Sequence, residues 1–160
     1  MVVNFGRAIG ADLEVAAVDQ QSSTLEIASK LSAGYPEISF IQADILNWRP
    51  AESFDLVLNS LALHHFSEAD AVKVLLSCRE LSRRFVLVSD LRRSWLATGG
   101  VHLLTMLIFR EPMTRFDARL SAERAFSLSE MRELARRAGW KNFGQSKYPF
   151  ARQAIWLQKA

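Results

Sequence analysis

Phe54-Asp-Leu-Val-Leu-Asn-Ser-Leu-Ala-Leu-His-His-Phe66 is the stretch on which the fold turns. Its first five residues form a short apolar run, the pattern of a buried strand, and that run delivers Asn59 and Ser60 to its carboxyl end. Ser67-Glu-Ala-Asp70 follows as a capping-box pattern, in which a serine and an acid three residues on satisfy free backbone donors. Val72, Leu75, Leu76 and Leu81 then recur at helical spacing, and Phe85-Val-Leu-Val-Ser89 reads as another strand closed by Asp90. Strand, helix and strand in this order require a parallel pair with a helical crossover.

Working outward toward the N-terminus, the same unit repeats. Leu13 to Val18 is a strand that stops at Asp19, and Gln20 to Ser32 spaces Leu25, Ile27, Ala28 and Leu31 as a helix with Ser22 and Ser23 as available caps. Gly34-Tyr-Pro36 ends that helix, and Ile38 to Ile41 gives a strand leading into Gln42-Ala-Asp44. Toward the C-terminus, Ser127-Leu-Ser-Glu130 is a second capping box and Gly139 suits the position just past a helix end. Trp140 to Tyr148 and Ala151 to Lys159 read as two closing strands, antiparallel across Pro149-Phe150. The predicted class is α/β, with a mainly parallel sheet covered by helices and an antiparallel C-terminal strand. One domain spans 1–160, and residues 91–126 are expected to be irregular and helical.

Composition narrows the class further. An apolar fraction of 49% and a charged fraction of 23% are those of a globular chain. The lone Cys78 excludes a disulfide framework, and no stretch has the length or flanks of a membrane span or secretory signal, so a cytoplasmic protein is expected. Residues 1–90 carry 7 Lys/Arg and 12 Asp/Glu, a net of −5, whereas 91–160 carry 13 and 5, a net of +8. That split suits either a basic segment meeting an anion or an ordinary solvated surface.

In open sheets of this type ligands sit beyond the carboxyl ends of the strands, which singles out Asp19, Asp44, Asn59 and Asp90. A carboxylate such as Asp19 accepts two hydrogen bonds from a ribose diol; equally, acids cap helices. Asp44 can accept from an exocyclic adenine amine while a neighbouring backbone N–H reaches a ring nitrogen. His64 and His65 are candidate bases because imidazole titrates near neutrality, although a histidine at such a turn also packs or caps.

This ordered set resembles the class I S-adenosylmethionine-dependent methyltransferases, in particular the small-molecule branch, across Leu13 to Asp90 and more loosely across Ser127 to Lys159. The resemblance implies a three-layer Rossmann-like sheet and S-adenosyl-L-methionine as cofactor. It places Asp19 at the cofactor ribose, with Gln20 also in the cofactor site, Asp44 and Ile45 at adenine, and Asn59, Ser60 and Leu61 at the methyl-transfer end. In position, 91–126 resembles the helical cap that the family places over a small-molecule acceptor. Trp95, Leu103, Met106 and Phe109 suit either an aromatic or lipid-like acceptor or a core helix, and Arg110, Arg115, Arg119 and Arg124 suit an anionic group or a membrane surface. One departure stands out. The family opens with a strand and a glycine-rich turn, and here only Gly6 and Gly10 precede Asp19, so Met1 to Ala11 matches the helix that follows that turn. An N-terminally truncated domain is therefore expected, with an exposed sheet edge open to self-association.

Other chemistries fit poorly. Adjacent histidines do not readily share one ion, and His102 and Cys78 add no ligand spacing, so no metal is expected. Neither Gly-x-Ser-x-Gly nor a phosphate loop is present. Two alternatives to small-molecule O- or C-methylation remain: a nucleic-acid methyltransferase, and a non-catalytic fragment acting as an interaction partner. Against the first, the arginines are not interleaved with stacking aromatics.

Overall fold

The computed structural model describes residues 2–93 and 124–159. The chain divides into two compact units, Met1–Arg49 and Pro50–Ala160.

In the first unit, helix α1 (Val2–Ala8) precedes strand β1 (Val15–Asp19), helix α2 (Ser22–Leu31) and strand β2 (Ile38–Gln42). The helical state of Val2–Ala8 agrees with its expected match to the helix after the glycine turn. Gly6 lets it pack tightly, since a Cβ there would overlap Leu13 Cδ1. β1 and β2 pair in parallel from Val15 opposite Ile38 to Asp19 opposite Gln42, with α2 as the crossover. Arg7 reinforces the unit by a two-pronged bond to Glu37, Nε–Oε1 2.6 Å and Nη2–Oε2 2.8 Å.

Two details of α2 differ from expectation. Neither Ser22 nor Ser23 caps the helix; Gln21 is its N-cap, without a side-chain cap bond, and Asp19 Oδ1 accepts from the Gln21 N–H at 2.8 Å in the turn that leads into it. At 100° per residue Leu25 and Ala28 share one side, where they are half-buried, while Ile27 and Leu31 fall on another and are exposed.

In the second unit, strand β3 (Phe54–Ser60) leads through a 3₁₀ turn (Leu63–His65) into helix α3 (Glu68–Leu81) and strand β4 (Ser82–Leu91). Helix α4 (Leu128–Arg137) is followed by strands β5 (Gly144–Tyr148) and β6 (Arg152–Gln158). The strand order is β3-β4-β6-β5, parallel for β3 with β4 and antiparallel for the last two pairings. β3 runs two residues further than the sequence suggested, so Asn59 and Ser60 lie within the ladder. Leu91 likewise belongs to β4. The rest of the expected 91–126 cap, including Trp95, Leu103, Met106, Phe109, Arg110, Arg115 and Arg119, lies outside the described residues apart from 92–93 and 124–126.

The core of this unit is written in period two on the strands. Val86 and Val88 of β4 are buried opposite Leu157 and Ile155 of β6, and the next pair in register is Asp90 opposite Gln153. α3 covers this face with Ala71, Val74, Leu75, Cys78 and Leu81, a stripe turned one step from the predicted Val72 and Leu76. Met131, Leu134 and Ala135 of α4 close it, and Trp140 Nε1–H donates to the Leu75 carbonyl at 3.1 Å. α4 begins with the full capping box between Ser127 and Glu130 and ends with Gly139 at φ +74°. At the N-terminus of α3 only half a box forms: Ser67 accepts from the Asp70 N–H, while the Asp70 carboxylate turns to Ser67 Oγ and Lys73.

Gly144 faces Trp156 across the β5–β6 ladder, and a Cβ there would overlap the indole ring. Gly144→Ala should therefore lower unfolding free energy by about 1–3 kcal/mol through overpacking. Urea unfolding measures this; an unchanged midpoint would show that the indole moves aside freely.

Candidate functional site

Pairing brings the predicted residues of the first unit to one place. The β1–β2 register sets Asp19 beside Gln42, the Ala43 N–H continues the ladder to the Asp19 carbonyl at 3.0 Å, and Gln42 Nε2 donates to the Gln20 carbonyl at 3.2 Å. Asp19, Gln20, Asp44 and Ile45 thus gather at the carboxyl end of the two-stranded parallel sheet. Both carboxylates have structural duties as well. Asp19 Oδ1 holds Gln21, and among the described residues Oδ2 has no protein donor. Asp44 heads a turn, its Oδ1 accepting from the Leu46 N–H at 3.0 Å and its Oδ2 from Asn47 Nδ2 at 2.8 Å. Each carboxylate oxygen offers two lone pairs, so one protein donor per oxygen leaves acceptor capacity for a ligand.

The second unit gathers Asn59, Ser60, Leu61, His64 and His65 at the end of β3. Ser60 pairs with Ser89, and the Leu61 N–H donates to the Ser89 carbonyl at 2.9 Å before the chain swings away with Leu61 at φ +56°. Such a left-handed leucine costs about 1 kcal/mol or more and persists only where its surroundings enforce it. Asn59 Oδ1 is buried and accepts no hydrogen bond among the described residues. A carbonyl oxygen left in that state carries an unmet desolvation cost that a ligand donor would relieve.

The two histidines differ in kind. His64 is buried, and its Nδ1 lies 2.6 Å from Asp90 Oδ1 while its backbone N–H donates to Asp90 Oδ2 at 2.8 Å. His65 is exposed, with its ring centroid 4.1 Å from that of His64. Partial burial, and secondarily the neighbouring His64, hold the His65 imidazole below its ordinary value; Arg124 adds to this and the Asp90 charge opposes it. His65 is therefore the free base at neutral pH. Asp90 was visible as an acid closing a strand, but its grip on His64 was missed. The available signal was the parallel neighbour relation of β3 and β4, which sets residue 90 beside the turn after residue 60.

Cys78 is no nucleophile: burial pushes its thiol up to about 12. Among the described residues no cluster of three His, Cys, Asp or Glu side chains has metal-binding geometry.

Because the folded state disfavours the proton on His65, its linked contribution is complete above about pH 6.5 and is lost as pH falls through the lowered value. His65→Gln should thus lose less stability than the wild-type chain between about pH 7 and about pH 5. Paired urea titrations at both pH values measure the difference; equal losses would show that His65 titrates as a free imidazole.

Comparison with known proteins gives the lineage. No curated protein matches the sequence. Among solved structures, a Nostoc punctiforme protein described as a candidate O-methyltransferase is 18% identical, with 91% of this chain and 45% of that one aligned at a TM-score of 0.66. The plantazolicin methyltransferase BpumL, solved with a monoazolic desmethylPZN analog and SAH, is 13% identical, with 99% and 70% coverage at 0.72. The S-adenosylmethionine-dependent methyltransferase SibL is 17% identical, with 99% and 46% coverage at 0.69. The chain spans less than half the length of the Nostoc protein and of SibL. At these identities the likeness shows a shared α/β, Rossmann-like fold. A family model described as a methyltransferase domain matches residues 1–84, just over half of the 160, and the chain belongs to that family.

Proposed function

We propose that the chain serves S-adenosyl-L-methionine-dependent methyl transfer to a small-molecule acceptor. The observation that carries this reading is the pairing of Asp19 with Gln42, which collects two acids with spare acceptor capacity at one strand end. Support comes also from BpumL, whose bound SAH is the demethylated form of that cofactor. Asn59 Oδ1, buried and unpartnered, fits a ligand bearing donor groups.

When bound, the cofactor supplies a methyl group on a sulfonium, so a bond from the acceptor lone pair forms as the carbon–sulfur bond breaks with its electrons passing to sulfur. The chain's own residues have simpler tasks. Asp19, with Gln20 beside it, accepts from ribose hydroxyls, and Asp44 accepts from the adenine amine while the Ile45 N–H serves a ring nitrogen. Asn59, Ser60 and Leu61 line the transfer end, with Asn59 Oδ1 accepting a donor there. His65 takes the proton from an acceptor O–H, a task suited to an exposed neutral imidazole. An acceptor of aromatic or anionic character is part of this proposal, with the Arg124 side chain, exposed and cationic, as the described residue that suits an anion.

Calorimetric titration with S-adenosylhomocysteine should show binding, with Asp19→Ala and Asp44→Ala each weakening it by ~1–3 kcal/mol. Affinities unchanged in both variants would contradict the assignment.

A second, non-catalytic reading has its own observation. Among the described residues β1 pairs with β2 alone and β3 with β4 alone, and Leu56 and Leu58 are each 45% exposed. We propose that the free β3 edge supports pairing between copies of the chain, and that Leu58→Lys weakens it. Sedimentation over a concentration series should show association in the wild type and less in the variant; a monomer at all concentrations would exclude this reading.

A further inference from the structure

Asp90 is the one acid among the described residues that is fully buried, and it lies where a sheet core should be apolar. Its position in β4 continues the stripe of Val86 and Val88, and its cross-strand partner, Gln153, is fully buried too. A carboxylate there is costly unless its lone pairs are used. Three donors reach it: the His64 backbone N–H on Oδ2 at 2.8 Å, and His64 Nδ1 at 2.6 Å and the Leu91 N–H at 2.8 Å on Oδ1. Two of the three belong to one residue of the 3₁₀ turn, so the carboxylate clamps both the backbone and the ring of His64. The clamp acts beside the left-handed Leu61 and directly before His65, whose ring rests on that of His64 at 43°. Helix capping does not require any of this, because α3 has its own cap in Ser67.

We propose that Asp90 is a positioning residue which, through His64, fixes the turn that presents His65 as the accessible base at the end of β3. This rests on the methyl-transfer reading above. A His64 ring whose Nδ1–H points at a carboxylate has a single tautomer, with Nε2 as its remaining acceptor. Because the residue is only 5% exposed, its exposed neighbour His65 is the ring an acceptor reaches. His65, by contrast, makes no described side-chain hydrogen bond and keeps its ring nitrogens for a ligand. The charged and titratable groups acting on His65 are His64, Asp90 and Arg124.

The chain has only three histidines, so ¹⁵N-detected spectra of the full chain resolve each ring, with His64→Gln and His65→Gln giving the assignments. In the wild type, the His64 ring should show a single tautomer with its proton on Nδ1, facing Asp90 Oδ1. An unprotonated Nδ1 in the native chain would overturn the proposal without any variant being needed. In Asp90→Asn the His64 nitrogens should move toward the averaged shifts of mixed tautomers, and the His65 titration midpoint should move with them. Wild-type signals for both histidines in that variant would equally overturn it. Methyl transfer to a series of phenols of graded acidity, read as S-adenosylhomocysteine release, separates positioning from bulk structure. Asp90→Asn and His65→Gln should each reduce turnover by about 10–100-fold, and the double variant should be no slower than the slower single one. Multiplying losses would show that Asp90 acts independently of His65, against the proposal. If no phenol is methylated by the wild type, the acceptor reading fails, and the histidine spectra still decide the role of Asp90.

Discussion

A carboxylate with no solvent contact has to find its donors in the protein, and Asp90 finds them in the turn that follows β3. Without that turn the end of β4 would hold a buried, uncompensated charge, at a cost of several kcal/mol. With it, two parallel strands are tied together past the last bond of their ladder, through bonds to both the backbone and the ring of His64. Gln153 completes the arrangement from β6, its amide donating to the Leu91 and Phe126 carbonyls.

The first unit solves a related problem with less burial. Its acids lie at strand ends where backbone donors are left over, and each is partly engaged in holding the local turn. A carboxylate that orders its own loop is already oriented before a ligand arrives, so less entropy is lost on binding. Structural and binding roles are therefore compatible at Asp19 and Asp44. His64 differs, because its structural bond uses Nδ1 and the ring is buried.

Much of this was legible in the sequence. Short apolar runs marked β1 to β4, followed by Asp19, Asp44, Asn59 and Asp90 respectively, and two serine-led capping patterns marked the starts of α3 and α4. The site residues fell in two clusters because strand ends are where such a chain changes direction. What was not legible depended on neighbours distant in sequence. That Gln21 becomes the uncapped N-cap of α2, its N–H held by Asp19, is decided by where β1 delivers a carboxylate, and which of Val72 and Val74 is core is decided by how α3 packs on the sheet. The difference between His64 and His65 is set by the alignment of β3 with β4, which no local pattern records.

The account stands or falls on whether the strand-end residues of both units respond to the cofactor. Amide chemical-shift mapping of the full chain with S-adenosylhomocysteine tests this most directly. Shifts concentrated at Asp19, Gln20, Asp44, Ile45 and Asn59 to Leu61, with the α4 and β5 amides unmoved, are the predicted result. Saturating ligand that moves none of those amides, or that moves only residues remote from the strand ends, would contradict it.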